Sequence, residues 1–217
     1  MQKKMLSQPD LRVLDLKAKA NQELKRLKTE ERYRFYVPNG KVADFIGLVG
    51  SGKVFVALFS AANGVGKTAC GVNILAHFMF ECDCKWFDYP LFKKFPFNKK
   101  GRIVSDPTTV KEKIVPELKL WFPKGRYETS NAGKNYEYKW KTKTGFEFDL
   151  MSFEQEEKEF ESVDLGWAWF DEPPPQEIYK ATVSRMRRGG IIFITETPLT
   201  GSAWLYDSFL TSPDRIV

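Results

Sequence analysis

SAANGVGKTACG, residues 60–71, is the stretch that decides the fold. The run before it, KVFVALFSA at 53–61, is apolar and rich in β-forming residues, as a strand buried on both faces of a parallel sheet is. The run after it, KTACGVNILAHFMFE at 67–81, has a helical pattern. Small residues between a strand and a helix let backbone N–H groups converge on phosphate oxygens, and the helix N-terminus adds partial positive charge. The stretch therefore predicts a phosphate-binding loop.

Two side chains at the end of this loop have predicted chemical roles. Lys67 is expected to reach the β- and γ-phosphates of a nucleotide as a point charge, and the Thr68 hydroxyl is expected to bind Mg²⁺. The first position of the usual pattern, normally glycine, is Ala61, which is small but lacks glycine's freedom in φ. The predicted nucleotide-binding residues are Ala62, Asn63, Gly64, Val65, Gly66, Lys67 and Thr68.

A second motif, WAWFDE at 167–172, ends a hydrophobic strand with two carboxylates. Asp171 is expected to hold Mg²⁺ opposite Thr68, and Glu172 is expected to orient and activate the attacking water. A parallel strand brings both carboxylates to the carboxyl edge of the sheet, where the phosphate loop also opens. Lys67 and Glu172 are thus the predicted catalytic residues, with Thr68 and Asp171 as metal ligands.

A third segment, ITETPLTGSAW at 194–204, also follows an apolar strand. Its polar residues Thr195, Glu196 and Thr197 stand where a group could sense the γ-phosphate. Taken alone this signal is weak, and it gains weight only beside the other two motifs.

The composition sets limits on the function. With 217 residues, 42% hydrophobic and 15% aromatic, the chain can form one sizeable α/β domain with a buried core. A net charge of +6 suits a polyanionic partner, although a solvated basic surface explains it equally well. Three cysteines at positions 70, 82 and 84 fit reduced thiols, and a single His77 argues against a histidine metal site or a Ser-His-Asp triad. No run has membrane-spanning length, so no membrane partner is expected.

The remaining patterns complete the expected architecture. Residues 11–34 are typical of a charged amphipathic helix, and 136–150 alternate as a β-hairpin added at an edge of the sheet. A helix is expected from Gln176 to Arg188. Strands alternating with helices predict an α/β fold with a mostly parallel central sheet. The expected division is a charged helical segment over 1–35 and a P-loop domain over 36–217.

The ordered set AANGVGKT, WAWFDEPP and IIFITETPLTGSAW resembles the ATPase domain of the large terminase subunit of tailed phages, over residues 36 to 210. The resemblance implies a P-loop NTPase fold of the ASCE (RecA-like) class, with ATP and Mg²⁺ as cofactors. It implies a homo-oligomeric ring, expected to be a pentamer, that drives double-stranded DNA into a procapsid. The implied partners are the portal protein and the small terminase subunit, and the implied location is the host cytoplasm at the portal.

Within this resemblance, Thr195, Glu196 and Thr197 match the coupling motif, with Glu196 where a small residue is common. YVPNGK at 36–41 matches the stretch that contacts adenine but has no glutamine. The family usually carries a nuclease domain after the ATPase domain. The chain ends at Val217, so we expect either a fragment of a larger protein, which we favour, or a nuclease domain on a separate polypeptide. Nuclease activity is not expected from this chain.

An arginine finger is also expected from a neighbouring subunit. Some terminases carry an arginine four residues before the loop lysine, where this chain has Asn63. Arg185, on the predicted helix, would lie roughly 15–20 Å from the site of its own subunit. The candidates from a neighbour are therefore Arg102, Arg126 or Lys158.

Two other interpretations stay open. The first is another DNA-dependent P-loop ATPase or helicase, although a two-lobed helicase needs a second RecA-like lobe. The second is a non-enzymatic nucleic-acid-binding module, in which Tyr136, Tyr138 and Trp140 would stack on single strands. Those aromatic residues fit the packed face of the hairpin better, with Lys139, Lys141 and Lys143 on its solvated face.

Overall fold

The computed structural model describes residues 8–131, 133–161, 163–198 and 203–211. A seven-stranded sheet forms its centre, with strand order β1-β7-β6-β2-β5-β4-β3. The first five strands in that order are parallel, and β4 and β3 are antiparallel to their neighbours. The strands are β1 Val56–Ser60, β2 Lys100–Ser105, β3 Tyr127–Ser130, β4 Lys139–Thr142, β5 Glu147–Ser152, β6 Trp167–Asp171 and β7 Ile191–Glu196.

Helices connect the strands and cover the sheet. They are α1 Gln8–Glu30, α2 Gly40–Gly50, α3 Lys67–Met79, α4 Pro90–Lys93, α5 Pro107–Thr109, α6 Val115–Trp121, α7 Gln176–Val183 and α8 Ala203–Thr211. A π-helical turn, Val110–Ile114, joins α5 to α6, and 3-10 turns form at Arg32–Phe35, Lys85–Phe87 and Glu157–Glu161. This is the predicted α/β architecture with a mostly parallel sheet.

The central strands are buried on both faces because their sequences are apolar throughout. Every residue of β6 and β7 is buried. Alternate side chains enter two separate cores: Trp169 and Phe193 pack on the α3 side, while Phe170 and Ile194 pack with residues of α7 and α8 on the other. The two-residue period of a strand produces this division and thereby fixes which side chains can face the phosphate loop.

Two glycines make room for the large indole rings of β6. A Cβ atom added at Gly71 on α3 would lie 2.3 Å from the Trp169 ring, and one added at Gly101 on β2 would lie 1.9 Å from the Trp167 ring. Such separations are far below van der Waals contact. The absence of a side chain at these positions therefore lets α3 and β2 approach the tryptophans closely.

The amino-terminal helix α1 confirms the predicted charged helix, and its side chains from Arg12 onward are almost all solvent-exposed. Leu14, Leu16 and Leu24 remain between 42% and 66% exposed. At its end, α1 contacts the 3-10 turn Arg32–Phe35. Its apolar stripe thus contributes little to the core of the domain.

Two expectations about secondary structure need correction. The hairpin forms, but its second strand β5 pairs in parallel with β2, and the outer edge is β3, whose short polar sequence YETS gave no strand signal. The helix α7 ends at Val183 rather than at Arg188. Pro116 follows a wider π turn, in which the Val115 N–H bonds the Val110 carbonyl, and this turn accommodates the proline ring.

The three cysteines are free thiols, as expected. Across the described part of the chain, every helix is too short or too polar to cross a bilayer.

Replacing Gly101 tests the close packing of the sheet. Gly101→Ala places a methyl group against the Trp167 ring, and overpacking of this kind should lower the free energy of unfolding by about 1–3 kcal/mol. The control is Gly40→Ala at the first residue of α2, where an added Cβ meets no described atom within 4 Å. Urea unfolding of both variants gives the comparison. Equal stability of the two variants would show that the tryptophan does not limit the approach of β2.

Candidate active site

The phosphate loop joins β1 to α3 through two glycines with positive φ. Gly64 has a φ of 82° and Gly66 a φ of 85°, and an added Cβ would meet no described atom within 4 Å at either position. Backbone conformation, rather than crowding, therefore requires glycine here. The first helical residue is Lys67, so the N–H groups of the first turn of α3 lack carbonyl partners within the helix and can bind an anion.

The Lys67 side chain lies within its own loop. Its Nζ atom donates to the Ala61 carbonyl at 2.8 Å and to the Ala62 carbonyl at 3.1 Å. The residue is only 8% exposed. The positive charge of Lys67 is thus held beside the loop backbone that is predicted to bind phosphate.

Asp171, at the end of β6, connects the loop to the neighbouring strands. Its Oδ2 atom accepts from the Thr68 hydroxyl at 3.1 Å, and its Oδ1 atom accepts from the Thr195 hydroxyl at 2.7 Å. The Ser105 hydroxyl donates to its backbone carbonyl at 2.6 Å, a contact with β2 that the sequence did not suggest. The predicted pairing of Thr68 with Asp171 is therefore present.

The side-chain oxygen atoms of Thr68 and Asp171 are suitable ligands for Mg²⁺. A hydroxyl and one carboxylate match the preference of Mg²⁺ for oxygen ligands, with water and phosphate oxygens completing an octahedron. The described residues contain no group of three or more His, Cys, Asp or Glu side chains arranged to hold a metal.

Burial, together with the nearby Glu172 carboxylate, raises the pKa of Asp171 to about 6, although hydrogen bonds from Thr195 and Thr68 oppose the change. The cause is the loss of water around an ionised group that has no cation in direct contact among the described residues. A bound cation would favour the ionised form.

Glu172 lies in an unusual backbone conformation. Its φ is 78°, and it is the one residue other than glycine with positive φ among those that the structure describes. Its N–H donates to the Thr195 carbonyl at 2.7 Å. Its carboxylate accepts from the N–H and the hydroxyl of Thr197, each at 2.9 Å. Strained residues of this kind occur at functional sites, where surrounding contacts keep them in place.

Thr197 also links Glu172 to the phosphate loop. Its Oγ1 atom lies 3.0 Å from the side-chain oxygen Oδ1 of Asn63, 134 residues away in sequence. The Thr197 hydroxyl has a single proton, and the Glu172 carboxylate can only accept one. A flip of the Asn63 amide, which exchanges its oxygen and nitrogen, turns the NH₂ group to Thr197 and satisfies all three groups. This orientation produces a chain of hydrogen bonds from Asn63 through Thr197 to Glu172.

The stretch expected near adenine also reaches the loop. Asn39 caps α2 by accepting from the Val42 N–H at 3.0 Å, and its amide nitrogen lies 3.4 Å from the Val65 carbonyl. Residues 36–41 thus lie beside the phosphate loop, with Asn39 rather than a glutamine as the polar contact. Glu196, the remaining residue predicted for coupling, is buried and contacts α8 instead of the carboxylates.

The arginine-finger candidates differ in their surroundings. Arg102 is completely buried on β2, where it pairs with Asp149 and donates to the Phe160 carbonyl, so the prediction that it reaches a neighbouring subunit is wrong. Arg126 is partly exposed, with its guanidinium 5.2 Å from the centre of the Phe80 ring, and stays a candidate. Lys158 is an exposed residue beside Glu156. The Arg185 carbonyl accepts a hydrogen bond from the Leu165 N–H, just before β6 begins. Arg185 therefore lies at the other end of this strand from Asp171.

Two solved structures share this architecture. The ATPase domain of the Thermus phage P74-26 large terminase matches with a TM-score of 0.55 and 14% identity, over 86% of this chain and 74% of that one. The large terminase of a thermophilic bacteriophage, solved with ADP, matches with a TM-score of 0.51 and 14% identity, over 74% of this chain and 39% of that one. This chain has the fold of a large terminase ATPase domain. The predicted P-loop NTPase fold is thereby confirmed.

The likeness is one of structure. No protein-family model and no curated protein sequence matches the chain. At 14% identity the shared fold does not carry over the partners or the activity of either terminase.

The raised pKa of Asp171 gives a pH-dependent prediction. The folded protein holds this proton more tightly than the unfolded chain, so the contribution of Asp171 to stability is lost as pH rises from about 4 through about 6. Without Mg²⁺, the free energy of unfolding of Asp171→Asn relative to that of the wild type should increase by about 3 kcal/mol as the pH rises from 4 to 7.

Urea unfolding in chelator at several pH values measures this gain. The control is Asp44→Asn on α2, whose side chain is 77% exposed. A stability difference between Asp171→Asn and the wild type that stays constant with pH would contradict the prediction.

Proposed function

We propose that this chain is the ATPase part of a large terminase motor, which hydrolyses ATP with Mg²⁺ to drive double-stranded viral DNA into a procapsid. One observation carries the proposal: on a terminase ATPase fold, Lys67, Thr68, Asp171, Glu172 and Thr197 come together at one edge of the parallel sheet. This set contains a phosphate clamp, two metal ligands and a carboxylate for water, the parts that hydrolysis of a nucleoside triphosphate requires.

Each residue has a distinct part in the reaction. The N–H groups of the loop and the first turn of α3 bind the phosphate oxygens, and Lys67 neutralises charge on the β- and γ-phosphates. Thr68 and Asp171 would hold Mg²⁺, which would supply electrostatic stabilisation of the transferring phosphoryl group. Glu172 orients the attacking water and accepts its proton.

The contacts of Glu172 supply a way to hold its carboxylate away from the water position while the phosphate loop is empty. Thr197 binds both oxygens of its carboxylate, and Asn63 binds Thr197 from within the phosphate loop. A phosphate in the loop competes for the Asn63 amide. The loss of that contact lets Thr197 move and lets Glu172 turn toward water.

The proposed motor acts on DNA, and the net charge of the chain is consistent with that partner. A net charge of +6 suits binding to phosphate, which a motor acting on arbitrary sequence needs. The same proposal includes a homo-oligomeric ring at the portal protein, served by a small terminase subunit, in the host cytoplasm. Arg126 is the remaining arginine candidate for a finger supplied by a neighbour.

The non-enzymatic module is less well supported. Trp140 is only 1% exposed and packs beside Tyr127 and Phe148, so it cannot stack on a nucleotide base. Lys139, Lys141 and Lys143 are exposed, as expected for the solvated face of the hairpin. A structural anion site would also not need the hydrogen bonds that Asp171 and Glu172 accept from Thr68, Thr195 and Thr197.

Removing the proposed base separates binding from chemistry. Glu172→Gln keeps the shape of the side chain but cannot accept the proton, so ATP should bind as in the wild type while turnover falls about 10²–10⁴-fold. Lys67→Ala should lose turnover together with affinity for the phosphates. Calorimetry and phosphate release measure the two properties. Glu177→Gln, an exposed change on α7, is the control, and wild-type turnover in Glu172→Gln would overturn the assignment.

Duplex DNA distinguishes the motor from the alternatives. Duplexes of unrelated sequence should stimulate ATP turnover equally, and the stimulation should fall steeply with salt because the contacts are to phosphate. A forked duplex should not be unwound. Strand separation would favour a helicase, and salt-sensitive DNA binding without any ATP hydrolysis would favour the binding module.

A further inference from the structure

Glu196 is a buried carboxylate for which the proposed reaction has no use. It lies between Thr195 and Thr197, whose side chains bind Asp171 and Glu172. Glu196 itself is completely buried; its Oε1 atom accepts from the Tyr206 hydroxyl at 2.5 Å, while Oε2 has no hydrogen-bond partner among the residues that the structure describes.

Packing alone does not explain this side chain. A buried carboxylate with one hydrogen bond destabilises a fold relative to an apolar side chain of similar size, because one oxygen loses water without compensation. The neighbouring core residues on this side of the sheet, including Ile192 and Ile194 of the same strand, are apolar. A leucine at position 196 would suit this core better than glutamate.

The contacts of Glu196 join two parts of the molecule. Through its backbone carbonyl it accepts from the N–H of Ala61, the residue that begins the phosphate loop, at 3.0 Å. Through its side chain it binds Tyr206 on α8. Tyr206 also has a hydrogen bond with Ser60 at the end of β1. The helix α8 is held further by the completely buried Leu205 and by Trp204, whose ring centre lies 5.0 Å from that of Tyr179 on α7.

We propose that Glu196 is a positioning residue whose hydrogen bond with Tyr206 transmits the occupancy of the nucleotide site to α8. The inference rests on the proposed function, since it needs a nucleotide in the loop. A ligand that displaces the carboxyl end of β7, through Thr195, Thr197 or Ala61, shifts Glu196 with it. The hydrogen bond then moves Tyr206 and the helix that carries it.

Hydrogen–deuterium exchange of α8, with and without a non-hydrolysable ATP analogue and Mg²⁺, tests the link. In the wild type, the analogue should change amide exchange in α8. Tyr206→Phe and Glu196→Leu should lose that response while binding the analogue with wild-type affinity. Glu196→Gln, which keeps an acceptor oxygen for the Tyr206 hydroxyl, should retain it.

The controls exclude simple damage to the fold. Tyr179→Phe, a matched change that leaves the Trp204 contact intact, should keep the response of α8. Glu196→Leu should show an equal or higher melting temperature, since an incompletely bonded carboxylate has been removed from the core.

The outcomes separate this inference from the proposed function. An α8 response of wild-type size in Tyr206→Phe and Glu196→Leu would overturn the link, and so would its loss in Glu196→Gln. Analogue binding to the wild type without any response of α8 would overturn the link alone. Failure of the wild type to bind the analogue would overturn the proposed function and the link with it.

Discussion

The contact between the Asp171 carboxylate and two threonine hydroxyls is the interaction on which the site depends. Thr68 lies in the first turn of α3, Asp171 ends β6 and Thr195 lies on β7, so this cluster joins three elements that are far apart in sequence. A shift of one residue in the register of β6 or β7 would turn the side chain of Asp171 or Thr195 to the opposite core, because alternate residues face opposite sides. The register of the parallel sheet is therefore a requirement of the active site as well as of the fold.

The tryptophans of β6 maintain that arrangement from within the core. Trp169 lies against Gly71, which sets how closely α3 approaches the sheet, and its indole N–H donates to the Thr195 hydroxyl at 2.9 Å. One side chain thus fixes the helix that carries the phosphate loop and orients a hydroxyl that binds Asp171. A large ring against a glycine is a rigid contact, and rigid support of this kind keeps functional groups in position.

The site retains groups that an optimally stable protein would lack. Asp171 is buried with a raised pKa, Glu172 has positive φ, and Glu196 has a buried oxygen that no described residue bonds. All three lie at the carboxyl ends of β6 and β7. The apolar interiors of these strands stabilise the fold and offset the cost of these three groups, as is usual where chemistry requires buried charge or strain.

The sequence by itself determined the local units: the strand, glycine loop and helix around 60–71, the Asp-Glu pair after a buried strand, and the hairpin after residue 136. Each depends on residue types within one segment, where periodicity and glycine content restrict the backbone directly. Only the tertiary structure decided the burial of Arg102, the addition of β3, the chain from Asn63 through Thr197 to Glu172, and the contact of Glu196 with Tyr206. These features depend on which distant segments become neighbours in the sheet, and no local pattern records that order. The contacts of Thr197 and Glu196, for example, require β7 to lie between β1 and β6.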